Sequence, residues 1–302
     1  MIQEAPFGDL PGVQLTSEHG LAAVRVGTES ASGLVYLQGA HVAAWQPAGQ
    51  APVIWMSERA VYAPGKALRG GIPICFPWFD AHAEHEQYPA HGFARTLGFT
   101  YRGARLDAQG RTELEFTLES SPETEAFFPF ASSVRYRVAF GSSLGLEFQV
   151  VNRGSQAFTF EEALHSYFAV SDVTQVSVLG LQGASYTDKV RDRAVFTEEA
   201  SALRITGETD RVYESSATCQ ILDPGLARAI RIEKSQSASS VVWNPWAERA
   251  AEMADLGANA WPGMLCVESA NVGTSKITLP GGAAHILRVT VSVTPSAAGS
   301  AA

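Results

Sequence analysis

The chain has 302 residues, with 22 Lys and Arg against 31 Asp and Glu, a net charge of −9, and 46% apolar against 18% charged residues. A charged fraction below the roughly 25% usual for soluble domains fits a sizeable core, since proteins near this length hide roughly three-quarters of their unfolded surface. These counts exclude disorder, a collagen-like fibre and a disulfide-stapled mini-protein, and the acidic balance argues against nucleic-acid binding, which needs a surplus of Lys and Arg.

In chain order, Met1 to Val13 carries Glu4, Asp9 and two prolines without an apolar stretch, unlike a signal peptide. Strands are expected at 21–26, 33–38, 42–46 and 53–56. The alternation of apolar and polar residues is then strongest in ELEFTLE (Leu114, Phe116, Leu118), VRYRVAF (Val134, Tyr136, Val138, Phe140) and the run Leu144, Leu146, Phe148, Val150. Such a period of two suits a sheet with one buried and one wetter face. Further strands are expected at 158–163, 176–181, 203–206, 218–222, 228–233, 240–243, 264–268 and 275–279, and Leu287, Val289, Val291 and Val293 close the series. Gly, Pro, Ser and Asp clusters separate these runs at short intervals, as antiparallel strands joined by turns require.

Helices are few. Ser121-Pro122 opens one or two turns to Phe127, with serine as cap and proline at the first helical position. Asn244 is the expected cap of a second helix in WAERAAEMADL. The expected fold class is all-β: one large antiparallel β-sandwich, a single domain over residues 1–294. Residues 295–302, in the small polar run that begins at Thr294 (TPSAAGSAA), are expected to be a disordered tail. No apolar run reaches the roughly 20 residues that span a bilayer. Cys75, Cys219 and Cys266 are far apart, odd in number and set in apolar sequence, so they read as buried hydrophobes of a reducing, cytoplasmic protein.

Two motifs fail on context. Gly141-Ser142-Ser143-Leu144-Gly145 matches G-x-S-x-G, but it joins two alternating strands and lacks the helix that a nucleophile elbow needs. Asp80, His82, Glu84, His85 and Glu86 crowd into DAHAEHEQ, which reads as a surface loop rather than a rigid metal cage. No Gly-rich phosphate or dinucleotide loop opens a helix, which sets aside NTPases and nicotinamide enzymes.

Three segments carry chemistry instead. LRGGIPICFPWFD places Arg69 before two glycines, which allow close backbone approach, and then Phe76, Trp78 and Phe79, flat surfaces that suit a sugar ring as well as a packed turn. PAHGFAR sets His91 and Arg95 beside a glycine, an arrangement suited to anions or hydroxyls. FEEALHSYF holds Glu161, Glu162 and His165 among apolar residues, and MLCVES holds Glu268 in an apolar strand. A carboxylate buried there needs a partner or a chemical role.

LRGGIPICFPWF, HGFAR, EALHSYF, TDRVY and CVESANV occur in this order over roughly residues 7–294. In this the chain resembles the D-hexose-6-phosphate mutarotases (glucose-6-phosphate 1-epimerases) of the aldose 1-epimerase-like group. The resemblance implies a galactose-mutarotase-type β-sandwich with His165 as catalytic acid and Glu268 as catalytic base. It places Arg69, His91, Arg95 and Asp210 on substrate-binding positions. Ala90 stands where some relatives have glutamine, and Asp80 where glycine is common. The implied reaction opens the pyranose ring by removing the C1 hydroxyl proton at Glu268 and protonating O5 from His165, then recloses it on the other face. It uses no metal or organic cofactor, and the expected partner is a small sugar phosphate bound by a monomer. Two arginines on one phosphate, at roughly 1.5–3 kcal/mol for each charged hydrogen bond, would favour a phosphorylated sugar. The alternatives are an aldose 1-epimerase acting on free sugars and a non-catalytic carbohydrate-binding protein. A glycosidase is disfavoured because it usually needs two facing carboxylates.

Overall fold

The computed structural model describes residues 6–296. Among them, antiparallel strands form a nine-stranded, an eight-stranded and a four-stranded sheet, with one two-stranded ribbon. The strongest alternations become four neighbouring strands of the nine-stranded sheet: Thr112–Glu119, Ser132–Phe140, Ser143–Asn152 and Ala284–Pro295. Their register lines up Phe116, Tyr136, Phe148 and Leu287 in one row, and all four are fully buried. Burying a large apolar side chain contributes about 1.5–3 kcal/mol, so such rows hold the sheet to its neighbours.

The four-stranded sheet is a meander from Val13–Glu18 to His41–Pro47. It packs Val24, Val35, Val42 and Trp45 into the same apolar core that receives the inner faces of the two larger sheets. The Trp45 indole donates to the Gly141 carbonyl at 3.1 Å, so the failed hydrolase motif is a hairpin turn that ties two sheets together. Within the eight-stranded sheet the strand Met264–Asn271 is flanked on one side by Ser239–Asn244 and on the other by Glu162–Leu164 and Tyr167–Ala169. It is buried along its whole length.

Some local expectations change. Residues 158–163 divide into Phe158–Phe160, which pairs with Ile277–Leu279 in the ribbon, and Glu162–Leu164 in the eight-stranded sheet. The run 53–56 supplies only isolated bridges at Ile54 and Met56. Ser121 caps the helix Pro122–Glu125 and exchanges side-chain and backbone bonds with Thr124. In the second helix, Trp246–Glu252, Pro245 takes the cap position; Asn244 sits one residue earlier, where its side chain still accepts the Trp246 N–H at 2.9 Å. Its amide also donates to the Trp261 and Met264 carbonyls, and this buried commitment pulls it back from the helix end. At the carboxyl end Thr294 and Pro295 still pair with Ala229 and Arg228, so the last strand outruns the expected boundary. The rest of the expected tail, 297–302, lies outside the described residues, as do residues 1–5 of the amino-terminal segment.

Candidate active site

Alternation along Met264–Asn271 sends Leu265 and Val267 into the main core and turns Cys266, Glu268 and Ala270 to the opposite face. Glu162–Leu164 and Tyr167–Ala169 pair with this strand in one continuous register, interrupted only at His165 and Ser166. That register brings His165 opposite Glu268, and their Nε2 and Oε1 atoms are 3.3 Å apart. The interruption has its own bonds: the His165 N–H donates to the Pro73 carbonyl and the Ser166 N–H to Leu164. Tyr167, two residues on and therefore on the same face, stacks against the His165 ring at 4.8 Å.

Glu268 is 1% exposed and His165 8%. Neither Glu268 oxygen nor His165 Nδ1 has a hydrogen-bond partner among the described residues. Buried polar atoms are ordinarily paired, so these three mark a place for the polar atoms of a ligand. Burial pushes the Glu268 carboxyl well above its ordinary range, opposed first by the Lys189 ammonium. Burial also drives His165 well below its ordinary value, helped by the nearby His91, Arg95 and Arg69. Desolvation thus favours a neutral acid and a neutral imidazole, with one titratable proton on the pair, over the expected carboxylate and imidazolium.

The pair opens onto a cleft of about 440 Å³. All six residues expected at the site line it: Arg69, His91, Arg95, His165, Asp210 and Glu268. His91 takes a positive φ of 61° in the tight turn before Gly92. Its N–H donates to the Asp80 carbonyl at 2.7 Å, and its Nδ1 accepts the Asp80 N–H at 3.2 Å. An accepting Nδ1 leaves the neutral ring's proton on Nε2. Burial and then the Arg95 charge push His91 down to about 3, consistent with that neutral donor.

The two arginines differ. Arg69 Nε donates to Asp255 Oδ2 at 3.1 Å and its Nη1 to the Tyr167 hydroxyl at 3.1 Å, so its charge is already matched. Arg95 donates to the Ala90 carbonyl at 2.8 Å and has no carboxylate partner among the described residues. The glycines after Arg69 approach protein backbone and side chain: a Cβ on Gly70 would lie 2.6 Å from Met56 Cα, and one on Gly71 2.1 Å from His41 Nε2.

Sequence reading missed Lys189, which bonds Asp80 Oδ1 at 2.7 Å and Asp210 Oδ1 at 3.3 Å. It sits in DKVRDR, which looks like a solvated charge run; the bond from its own N–H to the Asp210 carbonyl carries it to the cleft. Trp243 and Tyr167 were also missed, although the period of two from His165 marks Tyr167. Glu161 and Glu162 point elsewhere. Glu161 accepts the Phe79 and Gly273 N–H groups, and Glu162 meets His285 and Asn271. In the histidine-rich loop, His82 Nδ1 accepts the Glu84 and His85 N–H groups, and its ring packs on Trp78 and Tyr88. A second cleft, about 570 Å³ around Trp55, Arg59 and Asn259, holds no buried acid–base pair.

Comparison with known proteins agrees with this geometry. A protein from Escherichia coli K12, provisionally named glucose-6-phosphate 1-epimerase, is 37% identical over 246 residues, 80% of this chain and 81% of its own length. A protein from Cenchrus ciliaris with the same provisional name is 32% identical over 97% of this chain and 89% of its own length. The crystal structure of a provisionally named mutarotase from Salmonella typhimurium superposes with a TM-score of 0.88 at 30% identity, covering 96% of this chain and 97% of the other. A galactose mutarotase-like protein from Lactobacillus casei, at 17% identity and a TM-score of 0.72, shares the fold. The family model for aldose 1-epimerase matches residues 23–292, and with the sandwich and the cleft in place the chain belongs to the aldose 1-epimerase family.

Proposed function

We propose that this protein interconverts the α and β anomers of a hexose 6-phosphate, as a glucose-6-phosphate 1-epimerase. The observation that carries this reading is the buried His165–Glu268 pair, unpartnered at three polar atoms and open to a cleft that also holds an unmatched arginine. Ring opening needs one group to take the C1 hydroxyl proton and another to protonate O5. Glu268 takes the first role and His165 the second, and reclosure on the other face reverses them. For these roles the titratable proton must sit on His165 rather than on Glu268 when the C1 proton moves, against the direction in which burial pushes both groups. A general acid or base typically contributes about 10²–10⁴-fold, and neither metal nor organic cofactor enters these steps.

His91 donates from Nε2 toward the sugar near C1 or O5, and Asp210 accepts from ring hydroxyls. Arg95 is the principal phosphate contact, since its charge is not already matched; Arg69 contributes through the donors that Asp255 and Tyr167 leave free. Among the described residues no helix is long and apolar enough to cross a membrane, and the proposed substrate is a small polar metabolite of a cytoplasmic enzyme.

NMR magnetisation exchange between the anomers of glucose 6-phosphate and of glucose, with and without protein, tests the reading. Faster exchange for the phosphate ester than for glucose is the expected result. Equal acceleration of both would make this an aldose 1-epimerase for free sugars, and acceleration of neither would leave a carbohydrate-binding protein.

A further inference from the structure

Four carboxyl groups, Asp80, Glu208, Asp210 and Glu268, share the cleft with Lys189, whose ammonium also lies 4.8 Å from the centre of the Phe79 ring. We infer that Lys189, clamped between Asp80 and Asp210, is a positioning residue for anomer interconversion: it supplies the positive charge against which Glu268 works as a base and fixes the Asp210 carboxylate for the sugar hydroxyls. The inference rests on the proposed function and names a residue that function does not itself require.

The geometry of the clamp is specific. Asp80 stands in the left-handed region at φ 63°, at the turn that also carries His91, and reaches across to Lys189 from a different segment of chain. Lys189 follows directly on the strand Ser185–Asp188, and its N–H is held by the Asp210 carbonyl of the next strand. Two anchors from separate segments therefore define where the charge sits. A lysine without them would spread its charge over many rotamers, each at some entropic gain.

Charge balance shows why the cleft needs it. Arg69 is matched by Asp255 and the cleft-lining Arg249 by Glu252, which leaves Arg95 and Lys189 among the lining cations to face the four carboxyl groups, with Arg193 reaching Asp80 at 3.4 Å. The groups that act on Glu268 are His165 across the strand pair, Asp210 from the strand beyond Ser239–Asn244, Lys189 from the end of the strand next to that, and Asp80 and Arg95 from the loops. The thiol of Cys266 on its own strand, with Cys75, Tyr167, Arg69 and His91 beyond them and Glu208 and Arg249 elsewhere in the cleft lining, complete the titratable and charged surroundings. Of the cations, Lys189 does most to offset burial at Glu268, whereas Arg95 and Arg69 are those that act on His165. Lys189 is thus placed to favour charge on the base without opposing charge on the acid as strongly.

The test compares Lys189→Gln, which keeps a hydrogen-bond donor without the charge, with Lys189→Arg, which keeps both. Anomer exchange of glucose 6-phosphate is followed by NMR from pH 5 to 9 for the two variants and the unaltered protein, with folding checked by circular dichroism. In Lys189→Gln the acidic limb of the rate profile should move up by about one pH unit, because an acid that loses a neighbouring cation holds its proton to higher pH. Its maximal rate should fall at least about tenfold. Lys189→Arg should restore the limb to within a few tenths of a unit. If both variants lose rate equally with the acidic limb unmoved, Lys189 only braces the fold and the inference is overturned. If Lys189→Gln does not fold, a Lys189→Arg limb displaced as far as one unit overturns it, while an unmoved limb supports it. Absence of exchange in the unaltered protein would instead sink the proposed function, so the two failures are distinguishable.

Discussion

At Glu268 the proposed catalytic role and stability pull in opposite directions. The unfolded chain ionises this carboxyl near pH 4.3, whereas burial raises it well above that in the folded protein. A raised acid favours the folded state fully below the unfolded value, and that advantage is lost as pH rises toward the folded value. Glu268→Gln, a permanent stand-in for the neutral form, should therefore melt higher than the unaltered protein at pH 7, with the gap closing toward pH 4. The same change removes the proposed base, so anomer exchange should fall by about 10²–10⁴-fold. Thermal scans at the two pH values, beside NMR exchange, check both halves; a variant that melts lower at pH 7 would contradict the burial argument. His165→Ala should lose exchange to a similar degree, and near-normal turnover would remove it from the reaction. Glu268 was legible from sequence because a lone carboxylate interrupts an apolar strand. Its raised pKa was not, because the burial comes from pairing between distant segments, which sets Val241 and His165 on either side of it.

At the level of elements, legibility followed the strength of alternation. Thr112–Glu119 and Ser143–Asn152 have one buried face and announce themselves. Val13–Glu18 and Thr100–Leu106 are edge strands with few buried positions, and the two-residue strand Ile74–Cys75 is too short to show a period. Thr209–Glu214, which carries Asp210, hides its burial behind polar side chains that line the cleft and join ion pairs. What sequence did mark was the glycine of the His91 turn. Gly92 has a φ of 74°, and a Cβ there would lie 1.9 Å from the Phe76 carbonyl oxygen, against which this turn forms a parallel bridge. Gly92→Ala must both strain the backbone, at about 1–2 kcal/mol, and part the two segments that hold His91 and Phe79 in place. The melting temperature should fall by at least about 2–4 °C, at roughly 2 °C per kcal/mol, the low end for domains of 150–250 residues, and exchange should weaken with it. A melt within one degree of the unaltered protein would show that the two segments are not held together there.

For the molecule as a whole, a net charge of −9 must coexist with a dianionic substrate. Charges farther apart than the Debye length, about 8 Å at physiological ionic strength, are largely screened, so the surface repels a phosphate ester only weakly and the choice of substrate falls to the cleft. There the two arginines, equivalent in sequence, separate by their partners. Removing Arg95 takes away an unmatched charge and orphans only the Ala90 carbonyl. Removing Arg69 also leaves the Asp255 carboxylate and the Tyr167 hydroxyl without their donor, a cost to folding as well as to binding. Arg95→Ala should therefore lower the preference for glucose 6-phosphate over glucose, measured as the ratio of kcat/KM, by about 10–150-fold, the equivalent of about 1.5–3 kcal/mol for a charged hydrogen bond. Its melting temperature should change little. Arg69→Ala should melt several degrees lower, with free glucose and its phosphate ester both suffering because Tyr167 stacks on His165. Steady-state exchange kinetics on both sugars, paired with thermal melts, decide the matter. A preference unaltered by Arg95→Ala would move the phosphate away from Arg95 and onto the cations that already have carboxylate partners.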